Sequence, residues 1–301
     1  MATDLSPCRA AELRAAVDQA CAHIDHDSTD AELIKYTVNA VFRLKTSPVI
    51  VRVTTGEAGE IRGTRIVNVT RWLASHGAPI APLLDVSQPL HLPGCFTVTF
   101  WHELDNSSPW TAAELARPLR ELHQIHPGDA LDTLPVWNPF DNARRRLAEA
   151  DGAVTCTDLN WLHDAWAAAE TEYKRWEPKL PLGIIHGDPH TGNLLRDHSG
   201  KVVLCDLDEA GIGPLVWDLV PQAVGAVRFN RADFYQQFVA AYGADVRDDP
   251  FWPVLARVRE LIMVTSVLPD LGQRPAIAAQ HAHRLRTLQT EQADATWSLY
   301  R

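Results

Sequence analysis

The chemistry in this sequence is concentrated between Leu182 and Gly211. There His186-Gly187-Asp188-Pro189-His190 is followed by Asn193 and, beyond a polar turn, by Asp206 and Asp208. Two short apolar runs, Gly183–Ile185 and Val202–Cys205, precede the two polar groups. Three chemistries compete for the first loop. His186, Asp188 and His190 could hold a transition metal for hydrolysis, but Asn193 then has no task, since an amide is a poor zinc ligand. Gly187 and Pro189 could mark a turn whose polar residues cap one another. Phosphoryl transfer uses every residue: Asp188 orients an attacking hydroxyl and accepts its proton, while Asn193 and Asp206 supply the oxygens that Mg²⁺ prefers.

The rest of the chain must position these groups. Its 301 residues suffice for two lobes, and 46% hydrophobic residues suffice for a sizeable core. A formal net charge of −10 argues against a nucleic-acid binder, which normally shows a basic stripe, and suits a cationic small-molecule partner. Cys8, Cys21, Cys95, Cys156 and Cys205 form no C-x-x-C pair, so neither a disulfide framework nor a zinc ribbon is indicated. No apolar run is long enough to cross a bilayer and the N-terminus lacks a signal-peptide pattern, so a cytoplasmic location is expected.

Ser6-Pro7 opens a helix with Leu13, Val17, Ala20 and Ile24 at helical spacing. Two β-rich runs flank Thr46-Ser47-Pro48, a hairpin signal. A helix over 64–77 follows, with Ile66, Val69 and Leu73 on one side; "PIAPLLDV" and "CFTVTFW" read as strands around a turn-rich "SQPLHLPG". From Trp110 onward the pattern is mainly helical, with caps expected at Thr111 and Thr157. The expected fold is α+β: a β-rich lobe over residues 1–103 with a leading helix, then a larger helical lobe over 104–301 holding the catalytic and metal loops.

His186-Gly187-Asp188, Asn193 five residues after Asp188, and Asp206-Leu207-Asp208 after a strand resemble the aminoglycoside phosphotransferase family, small-molecule relatives of the protein kinases. "GPLVWDLV" resembles a later segment of that family. The resemblance implies a protein-kinase-like two-lobe fold. It also implies Asp188 as catalytic base, Asn193 and Asp206 as Mg²⁺ ligands, His190 near the γ-phosphate, and structural roles for His186 and for Asp218 behind the loop. Residues 188, 193 and 206 are expected to converge on the magnesium-bound triphosphate beside an alcohol.

On the nucleotide side, the family's basic residue on the third strand falls on Arg52, where protein kinases carry lysine; either holds phosphate. The preceding loop, "KYTVNAVFRL", has no glycine, and the helix position expected to give Arg52 a glutamate holds Ile66, with Glu57 and Glu60 before the helix. By position Val38, Ile50, Leu195 and Cys205 line a base pocket, and the Phe100–Glu103 connection, with Trp101, offers backbone groups. ATP or GTP is the expected co-substrate. Asp208, Glu209 and Glu260 are the candidates for a cationic acceptor, with Asp270 a weaker one, and Trp101 and Trp110 flank the connection. The expected function is a Mg²⁺-dependent O-phosphotransferase for a small hydroxylated, cationic molecule such as an aminoglycoside antibiotic. A metabolic kinase for an amino sugar, choline-like alcohol or nucleoside, and a nucleotide-binding relative without turnover, stand as alternatives. Neither nucleic acid nor membrane is an expected partner.

Overall fold

The structure, a computed structural model, describes residues 5–36, 39–107, 109–128, 130–150 and 152–300. Val38, one of the expected pocket residues, lies outside them. The chain divides into two compact units. One joins Met1–Pro109 to Gly192–Glu209, and the other joins Trp110–Thr191 to Ala210–Arg301. The segment carrying Asn193 and Asp206 thus packs with the N-terminal residues, whereas the expectation drew one boundary after residue 103.

In the first unit, α1 (Pro7–His23) starts where Ser6 Oγ accepts from Arg9 N and Pro7 presets the first turn. The sheet runs β1 (Glu32–Tyr36), β2 (Ala40–Arg43), β3 (Val49–Thr55), β5 (Phe96–His102), β4 (Leu90–Leu92), every pair antiparallel. Side chains alternate across it, so β3 is two-sided. Val49, Val51 and Val53 join Phe42, Val98, Phe100 and the apolar stripe of α1 in one core. Ile50 and Arg52 belong to the opposite face, cross-strand from Trp101 and Thr99 of β5. Against that face lies α2 (Glu57–Ser75), close enough at Gly63 that a Cβ there would stand 2.4 Å from Thr97 Cγ2. The hairpin of β7 (Leu194–Arg196) and β8 (Val202–Leu204) completes the unit, and Leu204 exchanges backbone hydrogen bonds with Pro79 and Ala81 at 2.8 Å.

The second unit is helical around one short pair, β6 (Leu182–Ile185) antiparallel to β9 (Gly211–Pro214). Its helices are α3 (Ala112–His123), α4 (Ala130–Thr133), α5 (Pro139–Ala148), α6 (Cys156–Trp176), α7 (Val220–Arg228), α8 (Ala232–Tyr242), α9 (Trp252–Thr265) and α10 (Pro275–Gln289). Thr111 caps α3 in a reciprocal capping box with Glu114. Trp137 and Trp217 fill core here: their ring centroids lie 4.4 Å apart, and Trp137 also meets Tyr173 edge-on.

The differences from expectation are local. The helix expected at 64 begins at Glu57, because Gly56 at φ +74 turns the chain directly out of β3, so Glu57 and Glu60 are helical. "PIAPLLDV" makes only isolated bridges, Ile80 with Leu204 and Leu83 with Trp101, its prolines interrupting the ladder donors. "SQPLHLPG" contains the edge strand β4. The cap of α6 is Thr155, whose Oγ1 accepts from Asp158 N at 3.1 Å, not Thr157. Among the described residues no helix is long and apolar enough to cross a membrane.

Candidate active site

Arg52, the residue expected to bind phosphate, belongs to the first unit. Its neighbours Val51 and Val53 pin β3 in the core, so the guanidinium emerges from a rigid strand and is 9% exposed. It donates to the Asp208 carboxylate, and its NH1 lies 3.8 Å from Asp206 Oδ1. With its amide oxygen turned toward the guanidinium, Asn39 also accepts from Arg52 Nε at 3.2 Å. Lys35 Nζ stands 4.0 Å from Asp206 Oδ2. The missing helix glutamate is therefore answered from another element: the short 3₁₀ turn Leu207–Glu209 supplies the carboxylate that α2 does not.

Asn193 and Asp206 flank the open end of the β7–β8 hairpin. Leu194 pairs with Leu204, and one step outward Cys205 N donates to Asn193 O at 2.9 Å. The next residue, Asp206, has φ +62, a left-handed conformation that costs about 1–3 kcal/mol for a non-glycine residue and recurs at functional sites. An amide and a carboxylate at one hairpin end are a hard-oxygen set that fits Mg²⁺, which takes few protein ligands and completes its shell with water and phosphate. Among the described residues no group of three or more His, Cys, Asp or Glu is arranged to hold a metal, which leaves the three-ligand His186–Asp188–His190 reading without geometric support.

Of the expected pocket residues, Trp101, Leu195 and Cys205 pack together against Ala81, Leu104 and Val203, and Ile50 is the cross-strand partner of Trp101. Burial pushes the Cys205 thiol up to about 12, so it stays protonated and unreactive. Glu103 is differently employed. Its carboxylate takes Arg43 Nε at 2.5 Å and its N–H donates to Pro48 O at 2.8 Å, so that N–H is not a donor for a nucleobase.

Asp188, the expected base, belongs to the second unit. Gly187, at φ +88, turns the chain sharply after β6. The loop is then fixed through its backbone. Fully buried Asp218 accepts from His186 N at 2.7 Å and Gly187 N at 2.8 Å, while His123 Nε2 lies 2.9 Å from the same carboxylate. Trp217 Nε1 donates to Gly187 O at 2.7 Å, and Gln222 Nε2 to Pro189 O at 2.8 Å. Asp188 alone presents a carboxylate from this braced loop, 39% exposed, with Oδ1 2.7 Å from Arg259 NH1 and Oδ2 3.9 Å from His190 Nε2. Burial alone would raise this carboxyl; the Arg259 guanidinium, with His190 and His186, outweighs it and holds the group below the ordinary carboxylate range.

Two acceptor candidates are occupied within this unit. Glu260 binds Arg228 Nε at 2.6 Å, both side chains largely buried, and Arg228 also donates to the carbonyls of Gln292, Ala293 and Ala295. Asp270 makes an exposed pair with Arg274 at 3.4 Å. The sequence reading missed Trp217 as a brace, and also Gln222, His123 and Arg259. Only the W-D order of "VWDL" signals the first; the others lie far away in sequence from the loop they serve.

A strand arginine opposed to hairpin aspartates, and a helical unit presenting one carboxylate from a backbone-clamped turn, define a kinase-like phosphotransferase. The model of the phosphotransferase enzyme family (APH) matches residues 36–261, and the chain belongs to that family. It is accordingly a small-molecule phosphotransferase with a hydroxyl acceptor. Solved structures with the same fold include a choline/ethanolamine kinase family protein from Mesorhizobium loti (18% identical, TM-score 0.61, covering 93% of this chain and 94% of that one). They also include the aminoglycoside phosphotransferase APH(3'')-Id from Streptomyces rimosus (16%, 0.61, 83% and 98%). A microcompartment-associated aminopropanol kinase is a third (18%, 0.66, 93% and 98%). At these identities the likeness is one of fold. A curated relative, linoleate 9S-lipoxygenase of Phaseolus vulgaris, is 25% identical over 169 residues, and the match spans only 22% of its length.

Proposed function

We propose that this protein is a Mg²⁺-dependent O-phosphotransferase that moves the terminal phosphoryl group of ATP or GTP to a hydroxyl of a small metabolite, with Asp188 as base. The observation that carries the reading is the construction of the 186–190 loop. Three side chains hold its backbone while Asp188 projects a carboxylate toward solvent. A loose phosphoryl transfer asks for orientation of the attacking oxygen more than for strong basicity, so a rigidly held carboxylate below its ordinary pKa suits the task. Arg52 would bind the triphosphate. Asn193 and Asp206 would hold Mg²⁺, which when bound neutralises charge on the phosphates. His190, beside Asp188, would lie on the γ-phosphate side, and Trp101, Leu195 and Cys205 would wall the base pocket.

The acceptor reading moves away from a polycationic antibiotic. That reading drew on Asp208, Glu209, Glu260 and Asp270 as receivers of amino groups. Asp208 serves Arg52, Glu260 serves Arg228 and Asp270 serves Arg274. A metabolic alcohol is therefore the better acceptor.

The test is nucleoside-diphosphate release over a panel of sugars, amino sugars, nucleosides, amino alcohols and hydroxy acids, with and without Mg²⁺, using Asp188→Asn as control. Release that requires an acceptor and Mg²⁺, and falls about 10²–10⁴-fold in the variant while nucleotide binding persists, is the expected result. Acceptor-dependent release surviving in Asp188→Asn would remove Asp188 from the reaction.

A further inference from the structure

We propose that Lys35 is a second triphosphate-binding cation: a bulge in β1 turns it onto the sheet face of Arg52, and the two cations flank the carboxylate of Asp206. The inference rests on the reading of Arg52 and Asp206 as the phosphate and metal side of the site.

The placement follows from the register of the sheet. Leu33 pairs with Phe42, yet Lys35 pairs with Val41 and Tyr36 with Ala40, so Ile34 is an extra residue with no counterpart on β2. Side chains alternate along a strand, and without the extra residue Lys35 would share the face of Leu33. That face is the apolar core, where Leu33 and Tyr36 pack against the cluster holding Ala40 and Phe42. An ammonium group buried there would be costly. The bulge reverses the alternation and aims Lys35 to the other side. Directly paired residues share a face, so Lys35, Val41, Arg52 and Thr99 form one row across β1, β2, β3 and β5.

The row brings two positive charges to one carboxylate. Lys35 Nζ lies 4.0 Å from Asp206 Oδ2, and Arg52 NH1 lies 3.8 Å from Asp206 Oδ1. Both separations are longer than a hydrogen bond, so each cation is attracted to Asp206 without being locked to it. Arg52 is held in place by its bond to Asp208. Lys35 is the movable member: its side chain is 59% exposed, and its compact charge on a flexible stem can swing onto a phosphate oxygen. The sequence between β1 and β2, Thr37-Val38-Asn39, gives this charge a task. It contains no glycine to let the backbone approach phosphate closely, and a side-chain ammonium can supply the positive charge that a glycine-rich loop would offer through its N–H groups.

The test is nucleotide affinity of the full chain, measured by calorimetric titration with Mg²⁺ present and no acceptor. The probes are ATP with adenosine, and GTP with guanosine in parallel. Lys35→Ala is expected to weaken binding of the preferred triphosphate about five- to tenfold and to leave its nucleoside unaffected, with Lys35→Arg recovering most of the loss. Lys45→Ala removes the same charge from the turn between β2 and β3, where Lys45 pairs with Glu32, and should leave triphosphate affinity unchanged. A triphosphate affinity unmoved by Lys35→Ala, an equal loss for triphosphate and nucleoside, or an equal loss in Lys45→Ala overturns the assignment. Arg52→Ala separates this inference from the reading beneath it. If Arg52→Ala weakens triphosphate binding and Lys35→Ala does not, the role of Lys35 alone falls. If wild type holds neither triphosphate more tightly than its nucleoside, the phosphate reading falls and Lys35 with it.

Discussion

Arg52 on β3 is joined to Asp208, which follows the β7–β8 hairpin, across 156 residues of sequence. A strand cation that must meet phosphate needs a fixed carboxylate to hold it extended before nucleotide arrives. Here that carboxylate comes from two residues beyond Asp206, so the proposed phosphate-binding cation and the proposed metal-ligand segment are coupled within one unit.

Removing that partner should leave Arg52 poorly placed and incompletely compensated. Asp208→Asn is expected to lower stability by about 1–3 kcal/mol, the range for hydrogen bonds to charged groups, and to weaken MgATP binding without changing the acceptor KM. Thermal unfolding and nucleotide titration read the two effects. An acceptor KM that rises while nucleotide binding is untouched would return Asp208 to the acceptor side.

Glu260 makes the complementary case. Because it closes a buried pair with Arg228, Glu260→Ala strands a guanidinium and should destabilise the protein by about 3–5 kcal/mol. Substituting the pair together, Arg228→Met with Glu260→Leu, should recover part of that loss. Chemical denaturation measures both; a stable Glu260→Ala protein with impaired acceptor binding would contradict the structural role.

The contact of α2 on the sheet depends on a missing side chain. A Cβ at Gly63 would stand 2.4 Å from Thr97 Cγ2, so Gly63→Ala should cost about 1–3 kcal/mol through overpacking, despite alanine's better helix propensity. Thr97→Ser removes the opposing methyl and keeps the hydroxyl. The double variant should therefore melt closer to wild type than Gly63→Ala alone.

A pH dependence is expected far from the reaction. The side-chain hydrogen bond from Arg247, helped by Tyr235 and outweighing burial, holds the Asp245 carboxyl down to about 2. A depressed folded-state pKa stabilises above the unfolded value of about 3.9, and that contribution disappears as pH falls through about 2. Asp245→Asn should thus destabilise at neutral pH, by about 1–2 kcal/mol after allowing for solvent screening, and by progressively less between pH 4 and 2. Urea midpoints across that range provide the measurement.

What the sequence by itself determined was whatever is local or periodic. Pro7 after Ser6, the capping box at Thr111, and the alternation in "VIVRVTT" depend on neighbours within a few residues, and each could be read without coordinates. Membership of the phosphotransferase family was legible from the H-G-D-P-H loop with its following Asn193 and Asp206, because their residue types and spacing lie within a short stretch of sequence. Tertiary structure alone decided the partners. Nothing near Asp208 announces Arg52, nothing near Glu260 announces the C-terminal carbonyls that orient Arg228, and nothing near Asp188 announces Arg259. Carboxylates look alike in a sequence, whereas their roles depend on which cation the fold brings within about 3 Å, and that distance is set by packing.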